Sequence, residues 1–196
     1  QGRGVRFKTA TGLMNCPYII AVTADAGEKA EGYIHLAAPV TEELIRSECG
    51  RSIWIKRKVE WDRKGGRIIA AVEERIGALL LSSRPFIPSD EEASTLLMEA
   101  VRSEPELLIF SAEARQFQGR VALLRKFFPE EPWPDVSDAE LLGKPELWLP
   151  NWIAGARSAN DLRRISIAAA LKALLNRSQV RSLEDRTPAA VTVPSG

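Results

Sequence analysis

Alternation of apolar and polar side chains organises the first half of the chain. Tyr18–Asp25 (YIIAVTAD) is β-branched and mostly apolar, and Glu31–Val40 (EGYIHLAAPV) resumes that character after the turn-like AGEK. Both read as strands. A short helical stretch, TEELIRSEC, follows. Ile53–Trp61 then has period two. Ile53, Ile55, Val59 and Trp61 fall on one face, expected to point inward, and Trp54, Lys56, Lys58 and Glu60 on the other, with Arg57 the exception on the inner face. DRKGG supplies a reversal, because glycine accepts positive φ. RIIAAVEERIGALLLSS continues as one or two strands with Gly77 as a bulge or bend. Several short antiparallel strands with one helix between them predict a small barrel or rolled sheet.

The period changes after SSRPFIPSD (Ser82–Asp90), whose prolines stop both ladder bonding and helix growth. A domain boundary is placed here, giving 1–88 as a β domain and 89–196 as a helical one; the fold class is therefore α+β. Helix starts are marked by S-x-x-[DE] boxes at Ser89/Glu92, Ser137/Glu140 and Ser158/Asp161. In ARQFQGRVALLRKFF, Ala114, Phe117, Val121, Leu124 and Phe128 form one apolar stripe. DLRRISIAAALKALLNR carries a second, less regular stripe of Leu162, Ile165, Ala169, Leu171 and Leu175. PEEPWPDVSD is a proline-stiffened connector, and the final AAVTVPSG reads as a strand. No internal repeat or low-complexity tract appears.

Composition narrows the class. The 196 residues, 45% of them hydrophobic, can bury one sizeable core or two small ones. The longest apolar runs, such as GALLLSS, fall far short of the roughly 20 residues that cross a bilayer. No secretory pattern opens the chain. Cys16 and Cys49 are far apart and lack CxxC spacing, so a reduced, cytoplasmic protein is expected. Net charge is +1 overall, but residues 1–88 carry 14 Lys/Arg against 10 Asp/Glu, and residues 89–196 carry 13 against 16. The β half is mildly basic, a weak sign of a polyanion partner.

A search for catalytic chemistry finds little. No phosphate loop of the G-x-x-x-x-G-K-[ST] type occurs; DRKGGR lacks its spacing. His35 is the only histidine, which excludes HExxH zinc sites and leaves one candidate base, in an apolar strand run. A hydrolase would lack an assembled nucleophile and base. The pairs Glu73/Glu74 and Glu130/Glu131 are read as solvated surface whose members point apart. NRS at Asn176–Ser178 matches a glycosylation sequon, relevant only in a secreted protein. Trp133, Trp148, Trp152 and Trp61 read as core or as clamps on the connector.

One cluster stands out. Arg51, Lys56, Arg57, Lys58, Arg63, Lys64 and Arg67 are offset between Arg51 and Arg67 only by Glu60 and Asp62, a net +5. Trp54 lies on the cationic face, where an exposed ring could stack a base. Two readings stay open: a solvated hairpin that guards a sheet edge, and a surface that contacts phosphates.

VEWDRKGGRIIAAVEERIGALLLSSRPF resembles the stretch after the motor in bacterial HrpB-type ATP-dependent helicases of the DEAH-box class. ARQFQGRVALLRKFFPEEPWPDVSDAELLGKPELWLPNWIAGARSANDLRRISIAAALKALL is similar to that family's C-terminal domain, with its wP-d-sde-LL and WL-P-laG elements and the helix after "s-aDL". The closing TVPSG is also a family pattern. The family usually shows Leu-Pro-Trp where LLIFSAE stands here, and RFKTATGLMNCPYI is shorter than its family counterpart.

The resemblance implies a fragment. Two RecA-like domains, with the ATP and magnesium site and the DEAH box, would lie upstream. Residues 1–88 would be the oligonucleotide-binding-like (OB-like) barrel, residues 89–196 the helical extension, and the fragment alone would be inactive as an NTP hydrolase. Expected partners are single-stranded RNA or DNA, held by Trp54, Lys56, Arg57, Lys58, Arg63, Lys64 and Arg67, and the upstream motor domains; no membrane and no cofactor of the fragment's own are expected. The alternative is a protein-docking or motor-bracing module without nucleic-acid contact.

Overall fold

The structure is a computed structural model and describes residues 5–25 and 32–189. Six strands come first: β1 (Val5–Phe7), β2 (Ile19–Ala24), β3 (Gly32–Pro39), β4 (Ile53–Asp62), β5 (Arg67–Ile76) and β6 (Leu79–Pro85), with helix α1 (Glu42–Cys49) between β3 and β4. Six helices follow: α2 (Asp90–Ser103), α3 (Ala112–Phe127), α4 (Asp138–Gly143), α5 (Ala159–Arg163), α6 (Ile167–Lys172) and α7 (Arg177–Arg186). The α+β class is as the sequence indicates. The turn-like AGEK and nearly all of AAVTVPSG lie outside the described residues.

The strands form two three-stranded sheets, ordered β1-β3-β2 and β4-β5-β6, with no closed barrel among the described residues. The all-antiparallel expectation fails at β1, a strand the alternation did not reveal. It runs parallel to β3, pairing Val5 with Gly32 and Phe7 with Ile34. β5 and β6 are antiparallel and join through Gly77, whose φ of 55° makes it the bend expected from the sequence.

The chain forms two compact units. One comprises the described residues of Gln1–Lys58 with Ala70–Phe86; the other comprises Val59–Ile69 with those of Ile87–Gly196. The tip of the β4–β5 hairpin thus belongs to the helical unit. The sheet unit has a thin core, in which Ile34, Val40, Ala70, Ala71 and Leu81 are buried. Ile55, expected on the inner face, is 70% exposed. β4 is an edge strand, and the buried positions of its sheet come from β5 and β6.

The helical unit has a much larger core. Ala114, Phe117, Val121 and Leu124 of the predicted α3 stripe are buried against Leu97, Val101, Leu162 and Leu171. Phe128, the stripe's last member, is half exposed. Trp133 and Trp148 are core, as expected; Trp152 lies at the surface. Ser89 and Glu92 form a complete capping box, and Ser137 and Ser158 cap α4 and α5. The segment read as one helix over DLRRISIAAALKALLNR is broken, because the Ser166 hydroxyl accepts the Ala169 N–H and starts α6 anew. The sequon asparagine has a local structural role: Asn176 caps α7 and exchanges hydrogen bonds with Gln179.

Candidate nucleic-acid interface

β4 carries the basic run in a strand because alternating Trp, Ile and Val suit an extended edge. In the sheet unit, Trp54 is 43% exposed, Lys56 and Arg57 are exposed, and Lys58 is half-buried. Arg57 places its guanidinium 4.3 Å from the centre of the Phe86 ring. This cation–π contact gives the inner-face exception a partner. On the neighbouring strand Glu73 is only 7% exposed, so the expectation of a solvated carboxylate fails. Arg75 Nε lies 2.7 Å from its carboxylate and holds it below the usual range, against the opposing effect of burial, with Lys58 and Lys56 adding to the pull. Glu74 points elsewhere. It takes Arg46 at 2.6 Å and Ser82 at 3.0 Å, and both hold it low.

The other three candidate cations, Arg63, Lys64 and Arg67, are exposed and sit in the helical unit at the hairpin tip. The reversal is built by Asp62, whose carboxylate accepts the Lys64 N–H at 3.1 Å, and by Gly66 at φ 58°. The tip is bound by its backbone. Gly66 O accepts the Ala159 N–H at 2.8 Å, and the Ile68 N–H donates to Arg157 O at 2.9 Å. Trp61, read as core, packs against the helical core. Arg63 Nε lies 3.2 Å from Glu104. A cleft of about 280 Å³ at the tip is lined by Trp61, Arg63, Lys64, Glu104, Asn160 and Arg163, among others. The seven candidates are therefore split. Trp54, Lys56, Arg57 and Lys58 share one unit, and Arg63, Lys64 and Arg67 share the other.

His35 is exposed, with Nε2 2.8 Å from Asp25. The backbone N–H of Tyr33 chiefly, and then His35, hold the Asp25 carboxyl below its usual range. Among the described residues no cluster of His, Cys, Asp and Glu is placed to hold a metal ion, and no helix is long and apolar enough to cross a membrane. Cys16 and Cys49 are both free thiols. Sequence reasoning passed over Arg6, Lys8 and Tyr33, which meet on the first sheet. The sequence carried no usable signal for them, because the three residues of β1 are too few for alternation to register.

Residues 56–86, which hold Lys56–Lys58 and the whole hairpin tip, match the family model "ATP-dependent RNA helicase HrpB, connector region". The class the chain resembles is thus an accessory segment of a helicase. More particularly, the chain matches the C-terminal part of HrpB. It is 29% identical over 199 residues to the ATP-dependent RNA helicase HrpB of Escherichia coli (strain K12), covering all of this chain and 25% of that protein. The crystal structure of the E. coli DExH-box NTPase HrpB aligns with a TM-score of 0.55 at 29% identity, over 94% of this chain and 23% of that one. A second, of the E. coli DEAH/RHA helicase HrpB, aligns at 0.54 and 28% identity, over 95% and 24%. The chain spans about a quarter of the length of these relatives.

Proposed function

We propose that this region holds single-stranded nucleic acid for a helicase motor carried elsewhere in the same polypeptide. The observation that carries the reading is the exposed strand face of β4, where Trp54 stands beside Lys56 with Arg57 and Lys58 next in sequence. Cations so arranged neutralise phosphates and release condensed counterions, while an exposed indole offers a stacking surface. In this reading the sheet unit is the oligonucleotide-binding-like module. Arg63, Lys64 and Arg67, in the helical unit, are further candidate phosphate contacts, and ATP and magnesium are bound and used by the motor in the cytoplasm. RNA is the first substrate to try, because the E. coli relative and the matching family model are both named as an RNA helicase.

The test is fluorescence anisotropy with labelled single-stranded RNA and DNA, using the chain and its Lys56→Glu, Arg57→Glu, Lys58→Glu triple variant. The triple variant should bind more weakly. Alanine at all three positions should flatten the plot of log affinity against log salt by about 2, the value for three single-strand phosphate contacts. Equal affinities would remove the strand from the interface.

A second reading, a docking or bracing module, draws on a different observation. Ile20, Val22 and Leu36 on the first sheet are 53%, 62% and 57% exposed, and apolar side chains left outward in this number suit a protein surface. Such a module would ignore an oligonucleotide at low salt and bind separately expressed motor domains.

A further inference from the structure

We propose that the cleft at the tip of the β4–β5 hairpin takes one guanine nucleotide of a single strand, with the base on the Glu106 carboxylate and the phosphates on Lys64 and Arg163. This rests on the nucleic-acid reading above and gives the tip a role of its own, base recognition, within the helical unit.

The cleft is built by the backbone. The Ala159 N–H bond to Gly66 O at 2.8 Å and the Ile68 N–H bond to Arg157 O at 2.9 Å pin the tip against the start of α5. Lys64 on the turn and Arg163 on α5 then line one space of about 280 Å³, close to the lower end of small-ligand sites. Glu104, at the end of α2, and Glu106, in the 3₁₀ turn Pro105–Leu107, line the same space. Leu107 is buried in the helical core and anchors that turn.

Some of the charge at the cleft is already spent. Glu104 faces the Trp61 indole N–H and Arg63, both at 3.2 Å. Asp62, the acid nearest Lys64 in sequence, serves the turn by accepting the Lys64 backbone N–H at 3.1 Å. Lys64, Arg163 and Glu106 are different. All three are exposed, and among the described residues none of them has an ion-pair partner, although they line one cleft.

A ligand of a single charge does not fit this lining. An acidic peptide meets Glu106, and a basic one meets Lys64 and Arg163. A nucleotide carries an anionic phosphate together with neutral donors on its base. An ionised carboxylate only accepts hydrogen bonds. Guanine sets two donors side by side on its Watson–Crick edge, the N1–H and the N2 amino group, and so matches both carboxylate oxygens. Adenine and cytosine set one donor beside a bare ring nitrogen, and uracil flanks its one donor with carbonyl oxygens, so each repels the second carboxylate oxygen. That edge is open to reading when the base is single-stranded.

The experiment uses the whole chain and fluorescein-labelled oligouridylates of about a dozen nucleotides with one central guanosine, inosine, adenosine or cytidine. Anisotropy is read across a salt series, with thermal melts of each variant as folding controls. The guanosine strand should bind at least about fivefold more tightly than the adenosine and cytidine strands, the low end for a bidentate base contact. Inosine, which lacks the N2 amino group, should lose most of that advantage; it tests the contact without altering the protein. Glu106→Gln should abolish the preference for guanosine. The Lys64→Gln, Arg163→Gln double variant should flatten the salt slope for the guanosine strand by about 1.4, the value for two single-strand phosphate contacts.

Equal wild-type affinity for the guanosine and adenosine strands overturns the proposal, and so does an inosine strand that binds as tightly as guanosine. If the Lys56/Arg57/Lys58 triple variant then still weakens binding, the strand reading stands without it. A guanosine preference that survives Glu106→Gln also overturns the proposal. Free guanosine monophosphate that displaces the strand at equal concentration overturns it too, because the mononucleotide is then the ligand. Absence of binding to every strand at low salt overturns both this proposal and the reading above.

Discussion

The indole N–H of Trp61 donates to Glu104 Oε1 at 3.2 Å, and Arg63 Nε lies 3.2 Å from the same oxygen. One largely buried carboxylate at the end of α2 therefore satisfies the aromatic ring and one cation of the hairpin tip. Glu104→Ala leaves a partly buried indole N–H without its acceptor, and should cost about 1–3 kcal/mol in urea denaturation. Glu104→Gln keeps an amide oxygen within reach and should lose less than the alanine variant. Equal losses would mean that the negative charge facing Arg63, and not the acceptor oxygen, matters at this position.

Gly66 makes a second prediction at the same tip. Its φ of 58° is left-handed, and a Cβ built there would lie 3.3 Å from the Ala159 Cβ. Gly66→Ala should destabilise by about 1–2 kcal/mol. Gly119, inside α3, is the contrasting case: a Cβ there meets nothing within 4 Å. Gly119→Ala should stabilise by up to about 1 kcal/mol, the helix-propensity difference, and raise the melting temperature. The opposite order of the two melting temperatures would sink both assignments.

These local rules explain how much of the fold the sequence disclosed. Ser89, Ser137 and Ser158 announced helices because each has an acid three residues on, and the α3 stripe was legible because period 3.6 persists from Ala114 to Leu124. Ser111 and Ser166 cap helices without an acid at the third position, so neither start was visible. Asn176 and Gln179 form the amide version of the same box. β1 was hidden because three residues are too few for alternation to register, and its parallel pairing with β3 is non-local. The basic strand of the candidate site was plain from Lys56–Lys58. Its division between two units was not, because nothing in a Gly-Gly turn says that its carbonyl will bind Ala159. Arg6 and Lys8 acquire meaning only once β1 is set beside Tyr33.

Asp135 makes stability depend on acid. Its Oδ1 accepts the Ser137 N–H at 2.9 Å, and the carboxylate pairs with Arg125. The Ser137 bonds chiefly, then Arg125, lower its pKa to about 2 from 3.8. A carboxyl lowered on folding stabilises fully above its unfolded pKa and loses that contribution as pH falls through the folded value. The loss should therefore fall between about pH 4 and pH 2. The side chain is a third exposed, so solvent screening holds the contribution near about 1 kcal/mol. Asp135→Asn should lower stability by about that amount at neutral pH and converge with wild type at about pH 2. Urea midpoints measured along a pH series check this; parallel curves down to the lowest pH would reject it.

Ionic strength should separate the two roles of the hairpin cations. Arg57 lies on the Phe86 ring and Arg63 faces Glu104, so each contributes to the fold as well as to the local potential. Lys56 and Lys64 are exposed lysines, and Lys64 is tied to the turn through its backbone N–H. Lys56→Ala and Lys64→Ala should each flatten the salt dependence of oligonucleotide binding by about 0.7, with Lys64→Ala leaving urea midpoints unchanged and Lys56→Ala lowering stability by no more than about 0.5 kcal/mol through its pull on Glu73. Arg57→Ala should in addition lower stability by about 0.5–1 kcal/mol, through loss of its ring contact. Arg57→Lys should restore the salt slope but only part of the stability, since an ammonium lacks the planar face that stacks on Phe86. If both lysine variants keep the wild-type slope, the strand serves the sheet edge and not a ligand.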